Sequence, residues 1–185
     1  MRYFVLIFGL FLINCTEKKK NKDQKVFPEI IVDKNLVKND TILLLSKFPE
    51  LKLYSKEIVE SKTRTAYVVQ NSKFGNFLLD RDNYKCKAQK KDDTLEISVN
   101  NYDGMTSNGI VIKVFGNHFF VKDYDPQTLR GEIKFINAKP ESQALRLDKI
   151  NYQKNDSLFG FVDYQCNVKG GVIKSMRGYF KTKIQ

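Results

Sequence analysis

The sequence predicts a mainly β domain, either an antiparallel β-sandwich or an up-and-down barrel, with one short helix near its N-terminus. Strict alternation of apolar and polar residues over 94–100 is typical of a half-buried strand. Residues 110–115 and 118–124 are both rich in β-branched and aromatic side chains, and only Gly116 and Asn117 separate them. That spacing predicts a tight hairpin, and several such runs indicate a sandwich or a barrel.

The first third of the domain is predicted to combine one helix with two strands. Residues 49–59 begin with Pro49, a residue that suits the first turn of a helix, and place apolar residues on one side. A strand is the alternative for the start of this segment. Residues 66–70 and 74–80 are predicted to be strands that are joined by 71–73.

The remaining elements are predicted from the same alternation and from the turn-forming residues between them. The further predicted strands are residues 84–88, joined to 94–100 by a loop at 89–93, and residues 131–136, 145–152, 158–168 and 176–184. The predicted turns that follow are 137–140, 154–157 and 170–171.

Composition points to one basic domain. The chain has 185 residues and a formal net charge of +11, and residues 26–185 keep 26 basic against 19 acidic side chains. Such an excess suits an anionic partner, for example lipopolysaccharide or another acidic glycan. Positive charge that is dispersed for solubility explains it equally simply. Nucleic acid is not an expected partner, because no Arg-rich helix or RNA-binding aromatic motif occurs.

The N-terminus has the layout of an export signal. Arg2 is followed by an unbroken apolar run at 3–13 and then by a switch to polar residues. As a helix, eleven residues reach about 16 Å, roughly half of the hydrocarbon layer of a membrane. The run therefore predicts export rather than a permanent membrane span.

The tetrad Leu12-Ile13-Asn14-Cys15 resembles the lipobox of bacterial lipoproteins. The resemblance implies that residues 1–14 are removed as a signal peptide and that Cys15 carries the lipid. Acyl chains on Cys15, palmitate among them, would hold the protein in the cell envelope, with the outer membrane favoured by Thr16 after the cysteine. An ordinary secretory signal with an incidental cysteine is the alternative.

Residues 15–25 are predicted to be the lipidated cysteine and a flexible basic tether, and residues 26–185 a single β-rich domain. The segment after Cys15 contains five lysines and no apolar residue up to Lys25, so it offers nothing to bury in a core.

Cys86 and Cys166 are predicted to face the core, since alternation places each with apolar neighbours. An exported protein can keep a disulfide, so one hypothesis is a bond between them. Two free core thiols are the alternative.

Motifs for catalysis and cofactors are missing from the sequence. His118 is the only histidine, which excludes zinc sites that need two or three imidazoles. No nucleophile elbow, phosphate loop or dinucleotide motif occurs, and we expect no cofactor. Asp80 and Asp82 lie two positions apart, but the Gly and final Glu of a calcium loop are missing. Asp123 and Asp125 are similar and are better interpreted as the turn after a strand.

Two surfaces are predicted to contact a partner. The polar loop at 100–109 contains two large side chains, Tyr102 and Met105, and a loop of this kind carries recognition when a rigid sheet positions it. The second surface is the last strand's outward face, where aromatic and cationic side chains suit glycans or anionic groups. It consists of Arg177, Tyr179, Lys181 and Lys183. A solvated connection and an ordinary outward face are the respective alternatives.

Taken together, these features favour a membrane-anchored envelope lipoprotein that binds a protein, glycan or lipid partner and is not an enzyme. A hydrolase that acts on envelope polymers through carboxylates is the first alternative. An inhibitor or immunity-type lipoprotein is the second.

Overall fold

The computed structural model describes residues 26–45, 64–83, 85–102, 107–125 and 134–185. In these ranges the protein is mainly β, as the sequence predicts. The strands are β1 (Ile31–Val32), β2 (Ala66–Phe74), β3 (Phe77–Asn83), β4 (Lys85–Lys91), β5 (Thr94–Tyr102), β6 (Ser107–Phe115), β7 (His118–Asp125), β8 (Lys134–Phe135), β9 (Ala138–Leu147), β10 (Ser157–Val168) and β11 (Val172–Lys183). A 3-10 helix (Lys34–Lys38) and α1 (Asp40–Leu45) complete the elements described.

The described strands form two open sheets and not a closed barrel. One sheet has the order β1-β9-β10-β11-β2-β3, and the other has the order β4-β5-β6-β7-β8. Neighbours are antiparallel throughout, apart from the short β1, which runs parallel to β9. Of the two predicted architectures, the structure therefore has the sandwich.

The core lies between the two sheets and takes one face of each. Alternate residues of β5 (Leu95, Ile97 and Val99) are buried, and alternate residues of β10 face them from the other sheet. One continuous apolar cluster joins both sheets. Burial of this apolar area is the main force that holds the sheets together.

Two hairpins share the sequence Phe-Gly-Asn at their turns. Gly116 has φ +57° in the predicted hairpin between β6 and β7, and Gly75 has φ +57° between β2 and β3. Glycine adopts this conformation without the steric cost that other residues meet. The prediction that residues 71–73 join two strands is wrong, because β2 continues to Phe74 and turns at Gly75 and Asn76.

Two predicted connections are strand instead. Residues 137–140 were predicted to be a turn, but β9 begins at Ala138 and includes Pro140, beside a register irregularity where one extra residue is accommodated. An irregularity of this kind is where a strand accepts proline. The predicted loop at 100–109 is shorter than expected, because β5 and β6 remain paired as far as Tyr102 and Ser107.

The helical segment packs on the outer face of the six-stranded sheet. The side chain of Asn39 accepts hydrogen bonds from the backbone N–H groups of Thr41 (3.0 Å) and Ile42 (3.3 Å), which caps α1. Leu36 and Ile42 are buried against Phe161 of β10. The helix predicted at 49–59 lies outside the described residues, and no described helix is long and apolar enough to span a membrane.

Candidate functional site

A cleft of about 380 Å³ opens between β7 of one sheet and β9 of the other. β7 and β9 belong to different sheets and are not paired with each other, so the cleft lies between the two sheets. Its wall is formed by residues from four parts of the chain: Val26, Phe27, Pro28, Phe120, Val121, Lys122, Asp123, Phe135, Ile136, Asn137, Ala138, Pro140, Gln143 and Tyr164.

One edge of β7 pairs with β6, and the other edge is hydrogen-bonded by short segments and not by a full strand. This leaves the cleft open. The N–H of Phe119 donates to the carbonyl of Pro28 (3.1 Å), and the carbonyl of Asp123 accepts from the N–H of Ile136 (2.9 Å). Between them, the N–H of Val121 donates to Oε1 of Gln143 (2.8 Å). The edge is thus protected from pairing with another chain, while space remains between the segments.

Aromatic rings and one cation line the mouth of the cleft. The ring of Phe27 packs edge-on against Phe115, with centroids 5.0 Å apart, and lies 5.7 Å from Phe120. The ammonium of Lys122 lies 5.6 Å from the ring centre of Phe120 and 5.1 Å from that of Phe135. Contacts of this kind hold a lysine over apolar surface while its charge stays exposed.

A buried ion pair forms the floor beside the cleft. Oδ1 of Asp123, whose side chain is fully buried, lies 2.6 Å from Nζ of Lys174. Nζ also donates to Oδ1 of Asn108 (3.0 Å), and Sγ of Cys166 donates to Oδ2 of Asp123 (3.6 Å). The pair connects β7 of one sheet to β11 of the other, and removal of either partner would leave an uncompensated buried charge.

Burial keeps the thiols and the phenol in this region protonated at neutral pH. Desolvation raises the pKa of Cys166 to about 11, and the nearby charge of Asp123 acts in the same direction. Desolvation also raises the pKa of Tyr164, which shares the cleft with Asp123. Neither group is a thiolate or phenolate nucleophile in this state.

The inward direction predicted for both cysteines is confirmed, but the disulfide hypothesis is not. Cys86 and Cys166 are both buried, and both are free thiols. Cys86 lies on β4 and Cys166 on β10, in opposite sheets, and the Cys166 thiol bonds to Asp123 instead. Of the two alternatives, the structure has the core thiols.

The predicted surface on the last strand is partly covered by the chain itself. Arg177 is exposed and pairs with Asp163 at 3.5 Å, and Lys183 is also exposed. Lys181 is half-buried. Tyr179 is half-buried too, because its ring packs 4.8 Å from that of Phe161 beneath the helical segment.

The other predicted partner surface lies mostly beyond the description. Tyr102 is the last residue of β5, where it pairs with Ser107. Met105 lies outside the described residues, and so does Cys15. These predictions stay predictions.

The acidic pairs gain no third ligand side chain in the described part of the chain. No group of three or more histidine, cysteine, aspartate or glutamate side chains comes together there. Asp80 is an exposed residue of β3, and Asp82 lies 3.7 Å from Arg64. Asp123 was interpreted as part of a turn, and this is wrong: it lies within β7 and faces inward.

Lys174 is the site residue that the sequence analysis does not name, and Asp123 is named there only as part of a turn. A local signal for each was present, because Asp123 follows Phe119 and Val121 at alternate positions, and Lys174 precedes Met176 in the same way. Alternation places both residues on inward faces. Their pairing depends on the alignment of two sheets, which alternation does not supply.

A second exposed feature is the apolar tip of the β2–β3 hairpin. Phe74 and Phe77 flank the turn and are 62% and 78% exposed, and Leu78 is 61% exposed. Alternation places Leu79 on the same face as Phe77, and Ile173 of β11 lies in the same row as Leu78 on the opposite face. Exposed apolar side chains at the tip of a hairpin indicate a contact with a partner or with lipid.

Comparison with known proteins does not assign the chain to a family. No protein-family model, no curated protein and no solved structure matches it.

Proposed function

We propose that this chain is a lipid-anchored protein of the bacterial cell envelope that acts by binding. The cleft between β7 and β9 receives the apolar part of a ligand that also carries an acidic group. The observation that carries the proposal is the cleft itself, whose volume of about 380 Å³ lies within the range of small-ligand sites. Aromatic rings and a cation at one mouth suit an apolar body with an acidic group.

The charges around the cleft favour an anion over a cation. The carboxylate of Asp123 is already paired with Lys174 at 2.6 Å, so it does not attract a second cation. Lys122 is the exposed charge at the mouth, held over the rings of Phe120 and Phe135. A ligand that fills the apolar space and places an acidic group near Lys122 gains both contacts.

The chemistry of the cleft supports binding more than catalysis. The thiol of Cys166 is protonated at neutral pH and bonds to Asp123. His118 lies at the opposite end of β7 from Asp123, five positions away along the strand. The described lining of the cleft therefore holds no thiolate–histidine pair of the kind that covalent catalysis uses.

The short sequence distance between Cys15 and the cleft suits a membrane anchor. Val26 lines the cleft, and ten residues separate it from Cys15. Ten residues reach at most about 35 Å when fully extended, so a lipid on Cys15 would hold the cleft close to the membrane surface.

The exposed hairpin tip lies at the same end of the six-stranded sheet. Lys139, Asn167, Ile173, Lys73 and Leu78 are successive partners across the strands, and Ala138 beside Lys139 lines the cleft with Val26. Lysines and exposed apolar residues at one end suit contact with an anionic lipid surface. The first acidic residue of β9 after this row is Glu141.

Metabolic labelling with a fatty-acid probe tests the anchor. We expect the wild-type protein to be labelled and to fractionate with membranes, and Cys15→Ala to lose both properties. The matched control is Cys86→Ala, which removes a buried thiol and leaves the lipobox intact. An unlabelled wild-type protein would overturn the anchor.

The fluorescent probe anilinonaphthalene sulfonate, an apolar body with a sulfonate, tests the cleft. We expect the mature chain to bind it in a saturable manner, Lys122→Gln to weaken binding, and Ala138→Phe to abolish it by filling the space. Lys169→Gln removes an exposed lysine of the β10–β11 turn and serves as the control. Equal binding by all four proteins would overturn the cleft as the site.

A further inference from the structure

We propose that Lys174 and Asn108 form an intramolecular isopeptide bond, with Asp123 as the catalytic residue. The inference is independent of the proposed function and rests on one cluster. Nζ of Lys174 lies 3.0 Å from the side-chain oxygen of Asn108 and 2.6 Å from a carboxylate oxygen of Asp123. An amine, a carboxamide and an acid–base group therefore meet at one point.

The distances place the amine next to the carbon that it would attack. A C=O bond is about 1.23 Å long, so Nζ of Lys174 lies within roughly 4.2 Å of Cγ of Asn108. Reacting atoms in near-attack geometry are about 3–3.5 Å apart, which a small rotation of the lysine chain achieves. Positioning of this kind turns a slow bimolecular reaction into an intramolecular one.

Burial gives the cluster the environment that the reaction needs. The side chain of Asp123 is 0% exposed and that of Lys174 is 7% exposed. Water that would otherwise solvate the charges is largely excluded, and Nζ donates a hydrogen bond of 2.6 Å to Oδ1 of Asp123. Transfer of the proton in this bond from Nζ to Oδ1 of Asp123 discharges both groups and frees the lone pair of Nζ.

The reaction then balances without any further reagent. The lone pair of Nζ forms a bond to Cγ of Asn108, and the π electrons of the amide move to Oδ1. Asp123 gives its proton to Nδ2 and accepts one from Nζ. The Cγ–Nδ2 bond breaks, the amide is restored, and ammonia leaves; Asp123 keeps the remaining proton, so no unpaired charge is left buried beside the link.

The bond would join the two sheets covalently. Asn108 lies on β6 and Lys174 on β11, so the link closes a loop that runs through both sheets. Closing a loop restricts the unfolded chain and thereby stabilises the folded state. Because Cys86 and Cys166 are free thiols, no disulfide between them provides such a link.

A tryptic peptide map of the protein isolated from its native host cells tests the proposal. Trypsin does not cleave after an acylated lysine, so we expect a branched peptide that joins residues 92–113 to residues 170–177 and is lighter by one ammonia than the sum of its parts. The peptide level is needed because a cyclic imide at Asn108 before Gly109 releases the same ammonia without a link. Free peptides 92–113, 170–174 and 175–177 in full yield would overturn the proposal.

Variants assign the roles. Asp123→Asn should abolish the link, whereas Asp163→Asn, which removes an exposed carboxylate, should leave it in place. Asn108→Asp should still form the link but should lose water in place of ammonia. A link that persists in Asp123→Asn would overturn the role of Asp123.

A second measurement tests the link in case Asp123→Asn fails to fold. Asn108→Ala keeps the ion pair of Asp123 and Lys174, and it should migrate more slowly than wild type on a denaturing gel because its unfolded chain has no closed loop. Identical mobility of the two denatured chains would contradict the link.

Discussion

Gly160 of β10 lies against the ring of its cross-strand partner Phe180 on β11. A Cβ atom at position 160 would stand 2.2 Å from Cζ of that ring, and both residues are buried. We therefore expect Gly160→Ala to destabilise the fold by about 1–3 kcal/mol, the range for overpacking a core. Urea unfolding of the two proteins measures the difference.

The double variant Gly160→Ala with Phe180→Leu controls this prediction. If the clash with the ring is the cause, the two changes should cost less together than the sum of their separate costs. Additive costs would show that the ring is not what excludes a side chain at position 160.

The side chain of Gln143 should contribute to closing the open side of the sandwich. It supplies the acceptor for the N–H of Val121, a residue that is 3% exposed. Because Gln143→Ala leaves this donor without its partner, we expect a loss of about 1–3 kcal/mol in the free energy of unfolding. Gln153→Ala, at an exposed position, should change it little, and equal effects of both variants would contradict the role of Gln143.

Strand alternation predicted much of this fold from the sequence. The inward directions of Cys86 and Cys166, the Gly116–Asn117 hairpin and the β10 and β11 strands are all confirmed, because each depends on residues close together in the chain. The turn at Gly75 carried the same signal and was overlooked.

The candidate site was out of reach because its parts come from distant segments. Asp123 and Lys174 are 51 positions apart and meet only when the two sheets align. Residues 137–140 are predicted to be a turn because proline in the middle of a β run normally indicates one. In the structure a register irregularity accommodates Pro140 within β9.

The two core thiols should be unreactive in the folded protein. Desolvation raises the pKa of Cys166 to about 11 and that of Cys86 further, so both are protonated at pH 8 and buried. We expect a thiol-reactive disulfide reagent to label neither cysteine of the folded, non-reduced Cys15→Ala protein and both after denaturation. A denatured, non-reduced sample without free thiols would contradict the prediction.

Alkaline pH should weaken the fold through Tyr152. Desolvation and the 2.7 Å hydrogen bond to Asp148 raise the pKa of this phenol above its ordinary value of about 10. The folded state thus keeps a proton that the unfolded chain loses near pH 10, so the stabilisation is complete below pH 10 and declines as the pH rises further.

Tyr152→Phe isolates that contribution. Near pH 7 the variant should be less stable by about 1 kcal/mol, the usual net value of a hydrogen bond. Above pH 10 its free energy of unfolding should fall less steeply with pH than that of the wild type, so the difference should shrink. A constant difference between pH 7 and pH 11 would show that Tyr152 ionises alike in both states.

The apolar tip of the β2–β3 hairpin should touch lipid when the protein is anchored. The chain contains no tryptophan, so Phe77→Trp places a single reporter at a side chain that is 78% exposed. In vesicles that contain anionic lipids with brominated acyl chains, we expect its emission to shift to shorter wavelength and to be quenched, because the indole enters the interface. Tyr67→Trp, on the outer face of the same hairpin but away from its tip, should remain several-fold less quenched. An emission shift that appears without lipid and grows with protein concentration would instead mean that the tip contacts a second copy of the chain. An unquenched reporter on an acylated, membrane-bound protein would refute the lipid contact while leaving the anchor intact.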